Sequence, residues 1–305
     1  MKSVLHGIIP PVITPLTSYN KIDEAGVEKL IEHLIKGGVH GLFLMGTNGE
    51  AVSLSHGLRK TFIDKVCKLV DHRIPVLVGI TDTSLESALA MAGFCEEAGA
   101  DMVVIAPPYY YPISQTEMMS YLDQLVPGLN LPFLLYDIPS HTKLHMTIET
   151  VKHARDMGAA GVKDSSGDLL YFYSLIEQFK NSPGFSVITG TEIFIPEAIL
   201  HGGHGGIAGG ANIFPELFVK YYNASKDRDY DKIKSLRQIV MKIETTIYNV
   251  SKFASGPIMG TKCALSVLGL CSDYMVPPLK RLEAEERNLI MKSVEEINEI
   301  DISKL

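Results

Sequence analysis

The sequence predicts an α/β protein, a (β/α)8 TIM barrel carrying a small C-terminal helical domain. Eight short apolar runs, many rich in β-branched residues, alternate with amphipathic stretches of helical period. Each run ends in Gly, Pro or polar residues, as strands buried on both faces do where they leave a sheet. After about residue 225 the alternation stops and only helical patterns follow. A length of 305 residues suits one barrel of roughly 250 residues plus an appendage. Eight repeats favour a closed barrel, because an open sheet that long is uncommon.

The strand-like runs fall at residues 7–14, 41–45, 75–80, 102–106, 132–136, 160–163, 186–189 and 205–209. Between them, residues 23–36, 55–70, 84–98 and 168–180 are amphipathic stretches with apolar positions at helical spacing. This places the barrel in residues 1–225 and the helical domain in 226–305. Three helices are expected in the latter, at 230–248, 259–268 and 283–300. The last of these, EAEERNLIMKSVEEINEI, is supported by opposite charges at (i, i+4).

Composition narrows the function. With 28 basic and 35 acidic residues the net charge is −7, and no basic run or basic patch interleaved with aromatics occurs. Nucleic acid and anionic membrane are therefore not expected as partners. No apolar run reaches the roughly 18 residues that span a bilayer. Residues 1–16, MKSVLHGIIPPVITPL, lack the apolar core of a secretory signal, so a cytoplasmic location is expected. Cys67, Cys95, Cys263 and Cys271 show no CxxC spacing, and each reads as a small apolar helix residue.

In a barrel of this kind chemistry sits in the loops after the strands. The polar residues there are Thr14, the turn Gly46-Thr47-Asn48-Gly49-Glu50, Asp82 and Thr83, Tyr109 to Tyr111, Tyr136 and Asp137, Lys163 and Asp164, Gly190 with Thr191 and Glu192, and Gly209-Gly210. Lys163 is distinctive as the one lysine or arginine inside a strand run. In an apolar barrel mouth its charged form loses solvation, its pKa falls, and the neutral amine can attack a ketone to form an imine. The alternative is a salt bridge to Asp164 or Asp137. Tyr136, one strand earlier, can relay a proton or merely line the rim. Exposed N–H groups with Thr47 and Asn48 suit a carboxylate, although the turn can also be structural. HGGHGGIAGG at 201–210 has no strand–GxGxxG–helix context, and its glycines serve ligand space or close backbone packing. The pairs His141/His145 and His201/His204 lack a carboxylate cluster at metal-ligand spacing, and the other six histidines read as surface or capping residues. No metal is expected.

Together these segments resemble the dihydrodipicolinate synthase / N-acetylneuraminate lyase superfamily of pyruvate-dependent Schiff-base aldolases. The likeness runs from GIIPPVITPL to VPPLKRL, through GTNGEAVSLS, APPYYYPIS, LLYDIPSHT and GVKDSSGD in order. The resemblance implies that Lys163 forms the imine, that Tyr136 relays protons assisted by Thr47 and by Tyr110 of a partner chain, and that Gly46, Thr47 and Asn48 hold the pyruvate carboxylate. It also implies that Tyr110 reaches a neighbouring subunit's site, hence a homo-oligomer, dimer or tetramer, and that the covalent lysine imine replaces any cofactor.

The family divides over the second substrate. Where the lysine-pathway synthases carry arginine (YNVPSRT), this chain has His141. KDSSGD and YYYP look more like the lyase and 2-keto-3-deoxy-sugar-acid branches. Ser165, Thr191 and Glu192 are the expected partners of sugar hydroxyls, and Gly209 stands where the sialic acid lyases have serine. The expectation is an aldolase joining pyruvate to an aldehyde and acting on a 2-keto-3-deoxy sugar acid. Alternatives are 4-hydroxy-tetrahydrodipicolinate synthase, N-acetylneuraminate lyase, a metal-dependent aldolase and a non-catalytic keto-acid sensor.

Overall fold

A computed structural model describes residues 5–302 of the chain. The first four residues of the segment read for a signal, and residues 303–305 of the expected C-terminal domain, lie outside the described residues. The strands are β1 (Gly7–Ile8), β2 (Leu42–Leu44), β3 (Val76–Gly79), β4 (Met102–Ile105), β5 (Phe133–Asp137), β6 (Gly161–Asp164), β7 (Ser186–Thr189) and β8 (Gly205–Gly206). They form an eight-stranded sheet in sequential order, with β8 returning to pair with β1. All of its paired strands are parallel.

The sheet closes just beyond β1. Val12 donates to the Phe43 carbonyl at 2.8 Å and Phe43 donates to the Pro10 carbonyl at 3.0 Å, with a parallel bridge between Pro11 and Phe43. The expected strand at 7–14 is therefore only two residues plus this bridge. Pro10 and Pro11 have no N–H to continue a ladder. The run at 205–209 is also shorter than expected, since a 3-10 turn begins at Gly209. A hairpin of Leu16–Ser18 with Lys21–Ile22, not anticipated from the sequence, precedes the first helix.

Eight helices alternate with the strands: α1 (Glu24–Lys36), α2 (His56–Val70), α3 (Leu85–Glu97), α4 (Gln115–Leu125), α5 (Ile148–Asp156), α6 (Leu169–Phe179), α7 (Ile195–Leu200) and α8 (Pro215–Asp227). Asp23, Ser55, Ser84 and Asp168, the opening residues expected from sequence, each accept a backbone N–H as N-caps. The inner face of the sheet carries its own apolar cluster, including Ile9, Phe43, Leu77, Val104, Leu134, Tyr136, Ile188 and Ile207. The larger cluster lies between strands and helices and continues into the later helices through residues such as Leu236, Leu265 and Ile290.

Those later helices are α9 (Tyr230–Lys242), α10 (Gly256–Val267) and α11 (Ala284–Asn298). The expected helix at 230–248 changes to π geometry over Ile243–Tyr248. Cys271 lies beyond the end of α10, not in a helix. Its sequence neighbours, LGLCSD, bring Gly269 at φ +70° and terminate the helix there. His33 and His40 are half-buried rather than superficial: His40 Nδ1 accepts from Ile8 N at 3.1 Å, and His33 Nε2 meets the Ile213 carbonyl at 3.2 Å. No helix among the described residues is long and apolar enough to cross a membrane.

Candidate active site

Parallel register puts the two central residues side by side. Tyr136 of β5 pairs with Lys163 of β6, and Asp137 pairs with Asp164 one residue on. Side chains alternate across a strand, so Tyr136 and Lys163 enter the barrel while the two aspartates face the helices. Asp137 there accepts from Met146 N at 3.1 Å and contacts His145 Nδ1 at 2.6 Å. Asp164 accepts from Ser166 N at 2.9 Å. The salt-bridge alternative for Lys163 thus fails on strand geometry: among the described residues no carboxylate lies within 4.0 Å of its amine.

Lys163 is 4% exposed, and its Nζ stands 3.9 Å from the centre of the Tyr136 ring and 5.1 Å from that of Phe43. Burial lowers its pKa, opposed by the Tyr136 phenol and, through space, by Asp164. Gly190, at the end of β7, makes room for this side chain: a Cβ there would lie 2.9 Å from Lys163 Cε and 1.9 Å from Ser165 Oγ. Gly46 does the same for Phe43, whose ring would be 2.7 Å from an added Cβ.

A cavity of about 430 Å³ opens over these rings. Phe43, Gly46, Thr47, Tyr136 and His141 all line it, so the expected carboxylate turn, relay tyrosine and branch-point histidine converge. Lys163 lies just behind the wall, against the two lining rings. The 46–50 turn is closed by Gly49 N to Gly46 O and Glu50 N to Thr47 O, at 3.1 and 3.0 Å. Thr14 Oγ1 ties it to the segment that follows β1 by donating to Gly49 O at 2.7 Å. The Thr47 and Asn48 side chains form no hydrogen bond among the described residues, and Thr47 lines the cavity while Asn48 lies beside it. His141 sits on the one-turn helix Pro139–Thr142 with its pKa lowered by desolvation and then by the Lys163 charge.

Other expected residues lie apart from this cavity. Tyr110, the ring expected to serve a neighbouring subunit, is 68% exposed and edge-on to Tyr111, and Tyr109 lines this cavity. Asn48, Glu192 and Gly209 gather beside it around Tyr248: a Cβ on Gly209 would lie 3.0 Å from Asn48 Nδ2 and 2.9 Å from the Tyr248 hydroxyl. Glu192 Oε2 accepts from Gly210 N at 2.9 Å and from the Tyr248 hydroxyl at 3.2 Å. Thr191 N donates to Thr189 Oγ1 at 3.1 Å, which sets the turn after β7. His201 and His204 contact Glu197 O and Val187 N, and among the described residues no three His, Cys, Asp or Glu side chains gather as a metal site.

Burial pushes the Glu192 carboxyl up to about 7. Its folded-state pKa is raised, so the unfolded chain gives up this proton first, and its contribution to stability falls as pH rises from about 4.5 to about 7. Glu192→Gln removes that slope. Thermal midpoints at pH 5 and pH 8 are expected to lie closer together in this variant than in the wild type. An unchanged gap would show that Glu192 keeps an ordinary pKa.

Sequence reading missed a second buried lysine. Lys262 of α10 pairs with Glu50, the last residue of the GTNGE turn, and donates to Tyr274 O at 2.6 Å. Glu50 also accepts from Val276 N at 2.8 Å. One charge in the apolar helix GPIMGTKCALSV was the available signal. Tyr248, Ser255 and Ile258, also from the later segment, reach the site or the cavity wall without any motif to mark them.

Comparison with known proteins places the chain in a family. The sequence model of the dihydrodipicolinate synthetase family matches residues 4–297. The putative 2-dehydro-3-deoxy-D-gluconate aldolase YagE of Escherichia coli is 31% identical over 301 residues, 96% of each chain. A 4-hydroxy-tetrahydrodipicolinate synthase of Methanopyrus kandleri is 29% identical, again over 96% of each chain. Among solved structures, a dihydrodipicolinate synthase of Bacteroides thetaiotaomicron is 44% identical with a TM-score of 0.93, covering 97% of this chain and 100% of that one. YagE, solved in complex with pyruvate, has a TM-score of 0.91 at 28% identity, covering 97% of this chain and 99% of that one.

Proposed function

The chain belongs to the dihydrodipicolinate synthetase family and is a carbon–carbon lyase of the aldolase kind; on that premise we propose that it cleaves and forms 2-keto-3-deoxy sugar acids through a pyruvate imine on Lys163. The observation that carries this reading is the buried Lys163 amine, without an ion-pair partner among the described residues, beside Tyr136 at the barrel mouth. A depressed pKa leaves part of the amine neutral and nucleophilic. It attacks the C2 ketone, and loss of water gives the protonated imine. As the C3–C4 bond breaks, the C4 hydroxyl proton passes to the Tyr136 oxygen while the phenolic proton is handed on to solvent, and the electron pair of the broken bond moves into the imine to give an enamine. The aldehyde leaves, C3 takes up a proton, and water releases pyruvate and the free amine. Aldol condensation is the reverse. The substrate carboxylate rests on Thr47, Asn48 and the Gly46 turn.

The acceptor end of the cavity supports an uncharged, hydroxyl-bearing aldehyde. Its wall presents Thr47, Ser53, Tyr109, Tyr136 and Ser255, while its one carboxylate, Glu50, is committed to Lys262. His141, with its pKa lowered, offers a neutral hydrogen-bonding ring where a charged semialdehyde would need a fixed cation. Ser165 and Thr191 are the further partners for sugar hydroxyls. The strongly exposed Tyr110 supports a homo-oligomer in which its ring serves a neighbouring copy.

Incubation with pyruvate and borohydride, followed by peptide mapping, tests the imine; a reduced adduct on Lys163 is the expected product. A pyruvate-binding protein that remains unmodified would leave the metal-dependent and sensor readings. Condensation assays with glyceraldehyde and with aspartate semialdehyde then separate the branches. Tyr136→Phe should slow turnover by roughly 10²–10⁴-fold, the scale of a lost acid–base group, with trapping preserved. A loss of less than about threefold would remove Tyr136 from proton transfer.

A further inference from the structure

Asp137 ends β5 directly after Tyr136, yet the reaction above makes no use of it. Its carboxylate is fully buried on the outer side of the sheet, and both oxygens are engaged by one short stretch of chain. One accepts from Met146 N at 3.1 Å and the other lies 2.6 Å from His145 Nδ1. Tyr171 of α6 grips the same stretch: its hydroxyl donates to Met146 O at 2.6 Å, and its ring stands edge-on to His145 with centroids 4.3 Å apart. His145 and Met146 are thus fixed between a strand end and a helix. The chain between Asp137 and His145 is a loop whose one-turn helix, Pro139–Thr142, brings His141 into the cavity wall together with Ile138 and Thr142. Thr142 Oγ1 donates to Ile138 O and Leu144 O, at 3.0 and 3.2 Å, and so draws the two ends of the loop together. Gln115 of α4 holds the exit, donating to His145 O at 2.8 Å and accepting from Thr147 N at 3.1 Å.

We propose that the Asp137–His145 pair positions His141 over the cavity and through it sets the affinity for the acceptor aldehyde. This deepens the aldolase reading above and rests on it. A carboxylate shut away from water holds whatever donors reach it, because leaving it unpaired in the interior is costly. Here both donors, the His145 ring and the Met146 N–H, lie at the far end of the loop that bears His141. Satisfying the charge therefore fixes where that loop returns to the barrel. Hydrogen bonds to a charged group are stronger than neutral ones, which suits them to holding a loop with only one helical turn of its own. Thr142 commits its hydroxyl to the backbone and Ile138 has none to offer, so His141 is the polar contact this loop presents to a ligand. Neither Asp137 nor His145 lines the cavity, and both act as positioning residues.

The test measures KM for D-glyceraldehyde, KM for pyruvate and borohydride trapping of pyruvate in wild type, His145→Phe, His145→Asn, His141→Ala and His141→Ala/His145→Phe. His145→Phe keeps a ring against Tyr171 and removes the donor, whereas His145→Asn restores an N–H near the place of Nδ1. His145→Ala replaces His145→Phe if that variant fails to fold. His145→Phe should raise KM for the aldehyde roughly tenfold or more, since small displacements of a site group are costly, while KM for pyruvate and trapping stay within about twofold. His145→Asn should bring the aldehyde KM back to within about threefold of wild type, and on the His141→Ala background His145→Phe should add less than about twofold. A folded His145→Phe with the wild-type aldehyde KM overturns the proposal. So does an undiminished effect in the absence of His141, or an equal rise in KM for both substrates, either of which would make the pair a general structural support. Absence of trapping in the wild type would instead overturn the imine reading on which the proposal rests.

Discussion

Replacing Lys163 with methionine should abolish both the borohydride-trapped pyruvate adduct and turnover while leaving the protein folded. The loss in kcat should be on the order of 10⁶-fold, the scale on which removal of an enzymatic nucleophile acts. The folding half of this expectation comes from the surroundings of the amine. It is buried against Tyr136 and Phe43 and has no carboxylate within ion-pair distance among the described residues. A charged amine in such a place costs stability, and methionine fills a similar volume without that cost. The thermal midpoint should therefore hold or rise. Near-normal turnover in the variant would sink the imine mechanism. A collapsed midpoint would show that the amine stabilises the fold, contrary to the geometry.

Lys262→Met should have the opposite character, a large loss of stability. Glu50 and Lys262 are both fully buried, and removing the lysine leaves a carboxylate uncompensated in the interior. Breaking a buried pair on one side costs about 3–5 kcal/mol. At roughly 2–4 °C per kcal/mol for a domain of 150–250 residues, the midpoint should fall by on the order of 10 °C. The double variant Glu50→Gln/Lys262→Met leaves no stranded charge and should recover most of the loss. Because Glu50 also anchors the turn that carries Thr47 and Asn48, the single variant should raise KM for pyruvate more than it lowers kcat. Equal midpoints in the wild type and the single variant would mean that the pair does not hold the turn against α10.

The contrast between these two lysines shows how much of the site was legible. Lys163 announces itself as the one lysine or arginine inside a strand run, where a strand buried on both faces calls for apolar residues. Thr47 and Tyr136 follow from the rule that barrel chemistry sits at strand ends, His141 came from the family resemblance, and all three line the cavity. Lys262 is as deeply buried, but it lies more than 200 residues from Glu50 along the chain, |i−j| = 212, and local pattern carries no record of such a partner. That Tyr109 joins the cavity wall was not legible either, since adjacent tyrosines differ only in the direction the loop turns them.

By itself the sequence determined the class of fold, the helix starts at Asp23, Ser55, Ser84 and Asp168, and the side-by-side chemistry of strands β5 and β6. These depend on period, capping and strand order, which are local or nearly so. Only the tertiary structure decided that β1 stops at its prolines and closes the barrel through a bridge to Phe43. It alone brought Glu50 to Lys262 and Glu192 to Tyr248. Those pairings arise when the later helices dock on the barrel mouth, where burial leaves a polar group only the partner that packing delivers to it.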